Sequence, residues 1–228
     1  MARLMFLSLL LGLLPALIQG ATLRWMPLGD SITDYGCWRA WIWQRFQQGG
    51  YDVDLVGGER AGENCDGLDY DRDHEGHPGY RAVDIASRDQ LVGWLNKNPA
   101  DIVTMHLGTN DIFRGNLGLP EILAAFGKLV DQMRDSNPAM RIIVAQIIPL
   151  PAQDRKVQEL NQAIPVWAAS KNSTGSPIWI VDQWMNFTSA DLYDGIHPSD
   201  SGDLKMADKF YPALVHAIHN IQPPGQKS

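Results

Sequence analysis

The sequence predicts an α/β protein, a three-layer α/β/α sandwich built on a five-stranded parallel sheet. Two observations carry this. Five short β-rich runs are continuously apolar instead of alternating, as expected of strands buried on both faces. Segments with helical apolar spacing lie between them, and strand alternating with helix implies a parallel sheet covered on both sides.

In chain order, the first run is Leu23–Leu28, followed by a helix near Trp38–Gln48. The second run is Val53–Val56. After it comes a long polar stretch, Gly57–Tyr80, rich in Gly, Asp and His and without helical or strand period; at that length it is expected to be functional. A helix is predicted near Val83–Leu95, then the run Ile102–Leu107, a helix over Pro120–Arg134 and the run Arg141–Ile148. A helix over Asp154–Ser170, the run Ile178–Val181 and a last helix over Ser199–Ile221 complete the pattern. Trp38 and Trp41, three residues apart, share one helix face and read as core. His106, at the end of an apolar run, reads as a core histidine.

The 228 residues suit one domain, expected over residues 21–221, and 45 % apolar with 20 % charged residues suits a full core. The formal charge of −7 gives no basic face for nucleic acid or an anionic membrane. Residues 1–20 carry a basic start, a short apolar centre and small residues at the end, which reads as a secretory signal peptide. The protein is therefore expected to be secreted. No later segment is long and apolar enough to span a bilayer. Residues 222–228 read as a frayed tail. The two cysteines, Cys37 and Cys65, are favoured to pair in an oxidising compartment, with two free thiols as the alternative. Asn172-Ser173-Thr174 and Asn186-Phe187-Thr188 match the glycosylation pattern.

In a doubly wound sheet the ligand site lies outside the carboxyl ends of the strands. Ser31, in Gly29-Asp30-Ser31, follows the first run. Asn110, in Gly108-Thr109-Asn110-Asp111, follows the third, and Asp194-Gly195-Ile196-His197-Pro198 follows the fifth. A serine nucleophile needs a base, and His197 can take its proton and return it to a leaving group. Asp194, one turn earlier, can fix the tautomer of His197. An oxyanion needs donors: the Ser31 N–H at a helix start, the neutral Asn110 amide, and the Gly79 N–H in His77-Pro78-Gly79-Tyr80. Taken singly, Ser31 reads as a helix cap, Asn110 as a turn residue and Asp194 as a cap. Their order on one edge favours catalysis. Asp111 is expected to brace the Asn110 turn, and His74 and His77 are either structural or pocket-shaping.

These blocks resemble those of the SGNH hydrolases, also called the GDSL esterases and lipases. Gly29-Asp30-Ser31 matches the first block, Gly79 the second, Gly108–Asp111 the third, and Asp194 with His197 the last. The Gly-x-Ser-x-Gly elbow of α/β-hydrolases is absent around Ser31. The segments Arg24–Thr33 and His74–Tyr80 are similar to the secreted acetylxylan esterases of carbohydrate esterase family 3. The resemblance implies a flavodoxin-like fold and a triad of Ser31, His197 and Asp194. It also implies an oxyanion hole of Ser31, Gly79 and Asn110, and removal of acetyl groups from polysaccharide or oligosaccharide. No cofactor is required, and a monomer is expected. Some relatives are described with calcium; Glu59–Asp73 offers oxygen ligands without the spacing of a calcium loop, so no metal is assigned. The rival readings are a general short-chain acyl esterase or lysophospholipase on the same machinery, and a non-catalytic carbohydrate-binding protein.

Overall fold

The computed structural model describes residues 22–60 and 65–221. The signal-peptide reading, residue 21 and the tail fall outside these residues. Five strands form a wholly parallel path: β1 (Leu23–Gly29), β2 (Val53–Leu55), β4 (Ile102–His106), β5 (Arg141–Gln146) and β6 (Ile178–Asp182), in the order β2-β1-β4-β5-β6. A sixth strand, β3 (Glu75–Gly76), lies inside the stretch read from sequence as lacking strand character. It pairs with β1 at Leu28↔Glu75 and Gly29↔Gly76, beyond the point where β2 stops at Trp25↔Leu55.

That break accommodates Pro27, a residue unexpected in a central strand. The carbonyls of Trp25 and Gly29 accept the N–H groups of Val56 and His77, at 2.9 and 3.0 Å. Backbone direction alternates along a strand, so Pro27 turns its missing N–H to the same side, between the two partners, and the ladder to β4 is intact.

Helices cover both faces. On one lie α3 (Ala82–Ser87), α4 (Gln90–Lys97), α6 (Leu119–Ser136) and α7 (Asp154–Lys171). They pack on Met26, Leu28, Val103, Met105, Ile142 and Val144. On the other, α2 (Trp38–Gly49) and α8 (Asp200–Ile221) pack on Trp25, Ile102 and Ile143, with Trp38 stacked on Phe210 at 5.0 Å. Neighbouring residues of β1, β4 and β5 thus enter opposite cores, which is why these runs carry no polar alternation, whereas the edge strand β2 alternates, with Asp54 exposed between buried Val53 and Leu55.

The single helix predicted over Val83–Leu95 is two helices. The chain breaks at Arg88 and Asp89, where Asp89 takes φ +51° and binds Lys128 and Gln132. Two five-residue helices, α1 (Ser31–Tyr35) and α5 (Thr109–Phe113), follow β1 and β4 directly. The chain leaves β1 toward β2 and returns to β4 on the other side. The carboxyl ends of β1 and β4 therefore flank the topological switch point where such sheets hold their ligands.

Candidate active site

At the end of β1 the backbone is tightly enclosed. A Cβ on Gly29 would stand 2.0 Å from Thr33 Oγ1 and 2.9 Å from the His106 carbonyl, so only glycine fits. Asp30 next caps α1, its Oδ1 accepting the Ile32 N–H at 3.0 Å. The cap is therefore Asp30 and not Ser31, which leaves the Ser31 hydroxyl free for another partner. Asp30 is fully buried, and desolvation pushes its carboxyl up to about 7 against the opposing hydrogen bonds from Ile32 and Asn110.

The partner of Ser31 is His197. Ser31 Oγ lies 2.8 Å from His197 Nε2, across 166 residues of sequence, and His197 Nδ1 lies 2.7 Å from Asp194 Oδ2. Asp194 also shapes the turn: its Oδ1 accepts the backbone N–H groups of Ile196 and His197 at 2.9 and 2.8 Å. Burial pushes the Asp194 carboxyl up, but the backbone and ring donors of His197 outweigh it and hold the group below the usual carboxylate range. The loop is closed behind by the Tyr193 N–H on the His197 carbonyl and by buried Asp191. The Asp191 carboxylate takes the Thr188 N–H and the Lys205 ammonium, both at 2.7 Å.

The third side comes from two more segments. His77-Pro78-Gly79-Tyr80 is a turn closed by the Tyr80 N–H on the His77 carbonyl at 3.1 Å, with Gly79 at φ +79° in the position that demands glycine. The His77 N–H on the Gly29 carbonyl, at 3.0 Å, hangs this turn on the end of β1 beside Ser31. Among the described residues the Gly79 N–H has no acceptor. Asn110 sits in the first turn of α5. Its Nδ2 donates to Asp30 Oδ2 at 3.2 Å and to the Tyr80 carbonyl at 3.1 Å. The αL geometry at this turn belongs to Gly108, with φ +116°, so the turn-residue reading of Asn110 fails. Asp111 does more than brace its own turn: its two oxygens accept the Ala82 and Val83 N–H groups at 2.9 and 3.1 Å. It thereby caps α3 and locks the Gly79 segment to the Asn110 segment.

Of the remaining sequence candidates, His106 is buried as expected. Desolvation pushes it down to about 4, and its Nε2 accepts the Ile148 N–H. His77 stacks on Trp94 at 4.2 Å and on Tyr80 at 4.8 Å, with Nε2 2.7 Å from Glu75 Oε1, so it supports the Gly79 turn. His74 is buried, its Nδ1 accepting the Gly76 N–H. Cys37 and Cys65 form a disulfide, Cα–Cα 5.4 Å, at the start of α2. Asn172 and Asn186 are exposed. Among the described residues no group of three His, Cys, Asp or Glu could hold a metal ion: Asp71 is engaged by the Leu55 N–H and Asp73 by Arg60.

Sequence reasoning missed the aromatic flank of the histidine. The exposed rings of Tyr193 and Tyr35 lie 5.7 and 5.6 Å from the His197 ring, the first of them parallel to it. A cavity of about 770 Å³ opens there, and Trp41, read as core, is half-buried and lines it. Tyr35 stands four residues after Ser31, the spacing at which a helix brings a side chain back over its own first turn. Nothing local in sequence marks Tyr193 or Trp41 as neighbours of that turn.

The model of the GDSL-like lipase/acylhydrolase family matches residues 28–204. The chain is 32 % identical over 216 residues to a multidomain esterase of Ruminococcus flavefaciens, covering 81 % of this chain and 27 % of that protein. The chain thus spans about a quarter of the length of that curated relative. Among solved structures, an acetyl esterase mutant with an acetate ion superposes with TM-score 0.83 at 36 % identity. It covers 87 % of this chain and 99 % of its own. A carbohydrate esterase family 3 protein from Talaromyces cellulolyticus gives 0.83 at 35 % over the same shares. A family 3 carbohydrate esterase from Clostridium thermocellum gives 0.74 at 28 %, over 86 % and 98 %.

Proposed function

Because this chain belongs to the GDSL-like lipase/acylhydrolase family and is a carboxylic ester hydrolase of it, we propose that it removes acetyl groups from carbohydrate through Ser31, His197 and Asp194. The observation that carries the mechanism is the unbroken relay from Ser31 Oγ to His197 Nε2 and from His197 Nδ1 to Asp194 Oδ2. Ser31 attacks the acyl carbonyl carbon as His197 Nε2 takes the hydroxyl proton. Asp194, an ionised acceptor at Nδ1, keeps Nε2 free to accept and steadies the imidazolium.

The carbonyl oxygen becomes an oxyanion between the Ser31 N–H, the Gly79 N–H and the Asn110 amide. Both amide hydrogens of Asn110 already have protein acceptors. The buried bond to Asp30 anchors the side chain, and the half-buried bond to the Tyr80 carbonyl is the one exchanged for the oxyanion. His197 then protonates the departing sugar oxygen. A water activated by the same histidine attacks the acyl carbon, releases acetate and restores Ser31.

What supports the carbohydrate is the likeness to acetyl and family 3 carbohydrate esterases at 35–36 % identity over nearly their full length. Residues 1–20 as an export signal, and the Cys37–Cys65 bridge, support a secreted enzyme with one hydrolase domain over residues 21–221. The test is acetate release from acetylated xylan, acetylated chitin oligomers and acetylated pectin, with 4-nitrophenyl acetate as a general ester. Wild type is expected to release acetate and Ser31→Ala to be inert; equal rates would end the proposal.

A further inference from the structure

The cavity of about 770 Å³ beside His197 falls within the ~300–1,000 Å³ typical of small-molecule clefts. Its lining does not include Ser31, Gly79 or Asn110. It starts at His197 and Tyr193, passes Tyr35 and the Cys37–Cys65 disulfide, and reaches Trp41 on α2 and Asp200 and Leu204 on α8. Its position follows from the proposed mechanism, on which this inference rests. The carbonyl oxygen must turn to the oxyanion donors, and the leaving oxygen must meet His197 Nε2 to receive its proton. Whatever the leaving oxygen is attached to therefore projects past His197 into this cavity.

The walls suit a sugar ring. Tyr193 and Tyr35 flank His197 with exposed rings, and Trp41 stands further along, half-buried. Aromatic faces pair with the C–H faces of a pyranose. The wall is also fixed. Trp38, on the same helix as Trp41, is fully buried, and Asp203 Oδ2 accepts the Cys37 N–H at 2.8 Å, tying α8 to the disulfide. Among the described residues of the lining the carboxyl groups are Asp200 and Asp203, with no Lys or Arg beside them. Asp203 is buried and engaged with Cys37; Asp200 is exposed. A uronate or phosphate bound there would meet a carboxylate and no counter-charge.

We propose that this cavity is the leaving-group subsite for a neutral pyranose ring, with Trp41 as its stacking platform and Asp200 as the group that turns away uronic acids. The enzyme then deacetylates neutral glycans in preference to pectic ones, and the choice is made on the alcohol side of the ester.

The experiment compares kcat/KM for acetylated xylooligosaccharides, acetylated oligogalacturonides and methyl acetate, whose alcohol is too small to reach Trp41. Wild type is expected to prefer the xylooligosaccharide. Trp41→Ala should lower that activity about tenfold more than it lowers methyl acetate hydrolysis, the loss of one aromatic stack. Leu204→Trp fills the same space without removing a buried group and should produce the same divergence. Asp200→Asn should raise the galacturonide-to-xylooligosaccharide ratio severalfold, most at low salt. If the substitutions lower all three substrates in proportion, or wild type cleaves both oligosaccharides equally at low salt, the subsite is wrong. Loss of methyl acetate hydrolysis in Ser31→Ala verifies the esterase reading separately, so failure of one does not mask failure of the other.

Discussion

Asn110 donates its side-chain amide to the buried carboxylate of Asp30 at 3.2 Å, joining the ends of β1 and β4 across 80 residues of sequence. Asp30 at once caps α1 and aims Asn110. Asn110→Ala is expected to lower kcat by roughly 100- to 1000-fold, the usual cost of one oxyanion donor, with a much smaller change in KM. Asp30→Asn places a donor where both neighbours donate, so it should lower kcat and thermal stability together. Unchanged kcat in Asn110→Ala would remove it from the oxyanion hole.

Asp194→Asn leaves the turn intact, because the amide oxygen can still accept the Ile196 and His197 backbone N–H groups now bound by Oδ1. Its NH₂ then faces His197 Nδ1, which must give up its hydrogen. The proton moves to Nε2, where it blocks transfer from Ser31. The expected result is a fall in kcat of about 10⁴-fold with little change in melting temperature. Substantial residual activity on 4-nitrophenyl acetate would mean that Asp194 only shapes the loop.

Desolvation raises the Asp203 carboxyl to about 7 from its ordinary 3.8, against the hydrogen bond from Cys37. A raised acid pKa means that the folded state holds the proton more tightly. Stability from this group is therefore complete below about 3.8, declines as pH rises to about 7, and is level above. Asp203→Asn keeps an acceptor for Cys37 and removes the titration. Its melting temperature should gain on wild type between pH 4.5 and 7.5, by about 2–4 °C for each kcal/mol recovered. A constant offset at both pH values would show that Asp203 does not titrate in this range.

The Cys37–Cys65 bridge closes a loop with a sequence separation of 28. Chain-entropy reasoning assigns such a loop about 3–4 kcal/mol. Cys37→Ser with Cys65→Ser should lower the melting temperature by roughly 10 °C. Calorimetry of the double variant and of reduced wild type should agree; a drop of less than a degree would mean that the Asp203–Cys37 bond alone holds this corner.

Strand and helix order were legible because burial on both faces leaves a strong apolar signal, as in Ile102–His106, where every residue is buried. The break at Asp89 was not, since apolar spacing runs on through Leu91 and Leu95 while the chain changes direction at one left-handed residue. The two-residue β3 was hidden for a related reason: its strand character comes from pairing with Leu28 and Gly29, not from its own residues. At the site, Ser31 and Asn110 stood out because each sits in a short motif just past a strand end, and Asp194 and His197 because they share one short motif before the last helix. The structural duties of Asp30, Asp111 and Asp203 did not. Asp111 and Asp203 act on backbone N–H groups of segments assembled beside them by the fold, Asp203 across 166 residues, and Asp30 holds the Asn110 side chain across 80.

The distance in sequence between Ser31 and His197 has a meaning for the life of the chain. The proposed nucleophile and base meet only when α8 is in place and the parallel sheet between them has closed. A full-length chain whose sheet has not closed carries every one of these side chains and none of the arrangement. Ester cleavage is then a report that the last element has docked: recovered activity during refolding times the completion of the sheet.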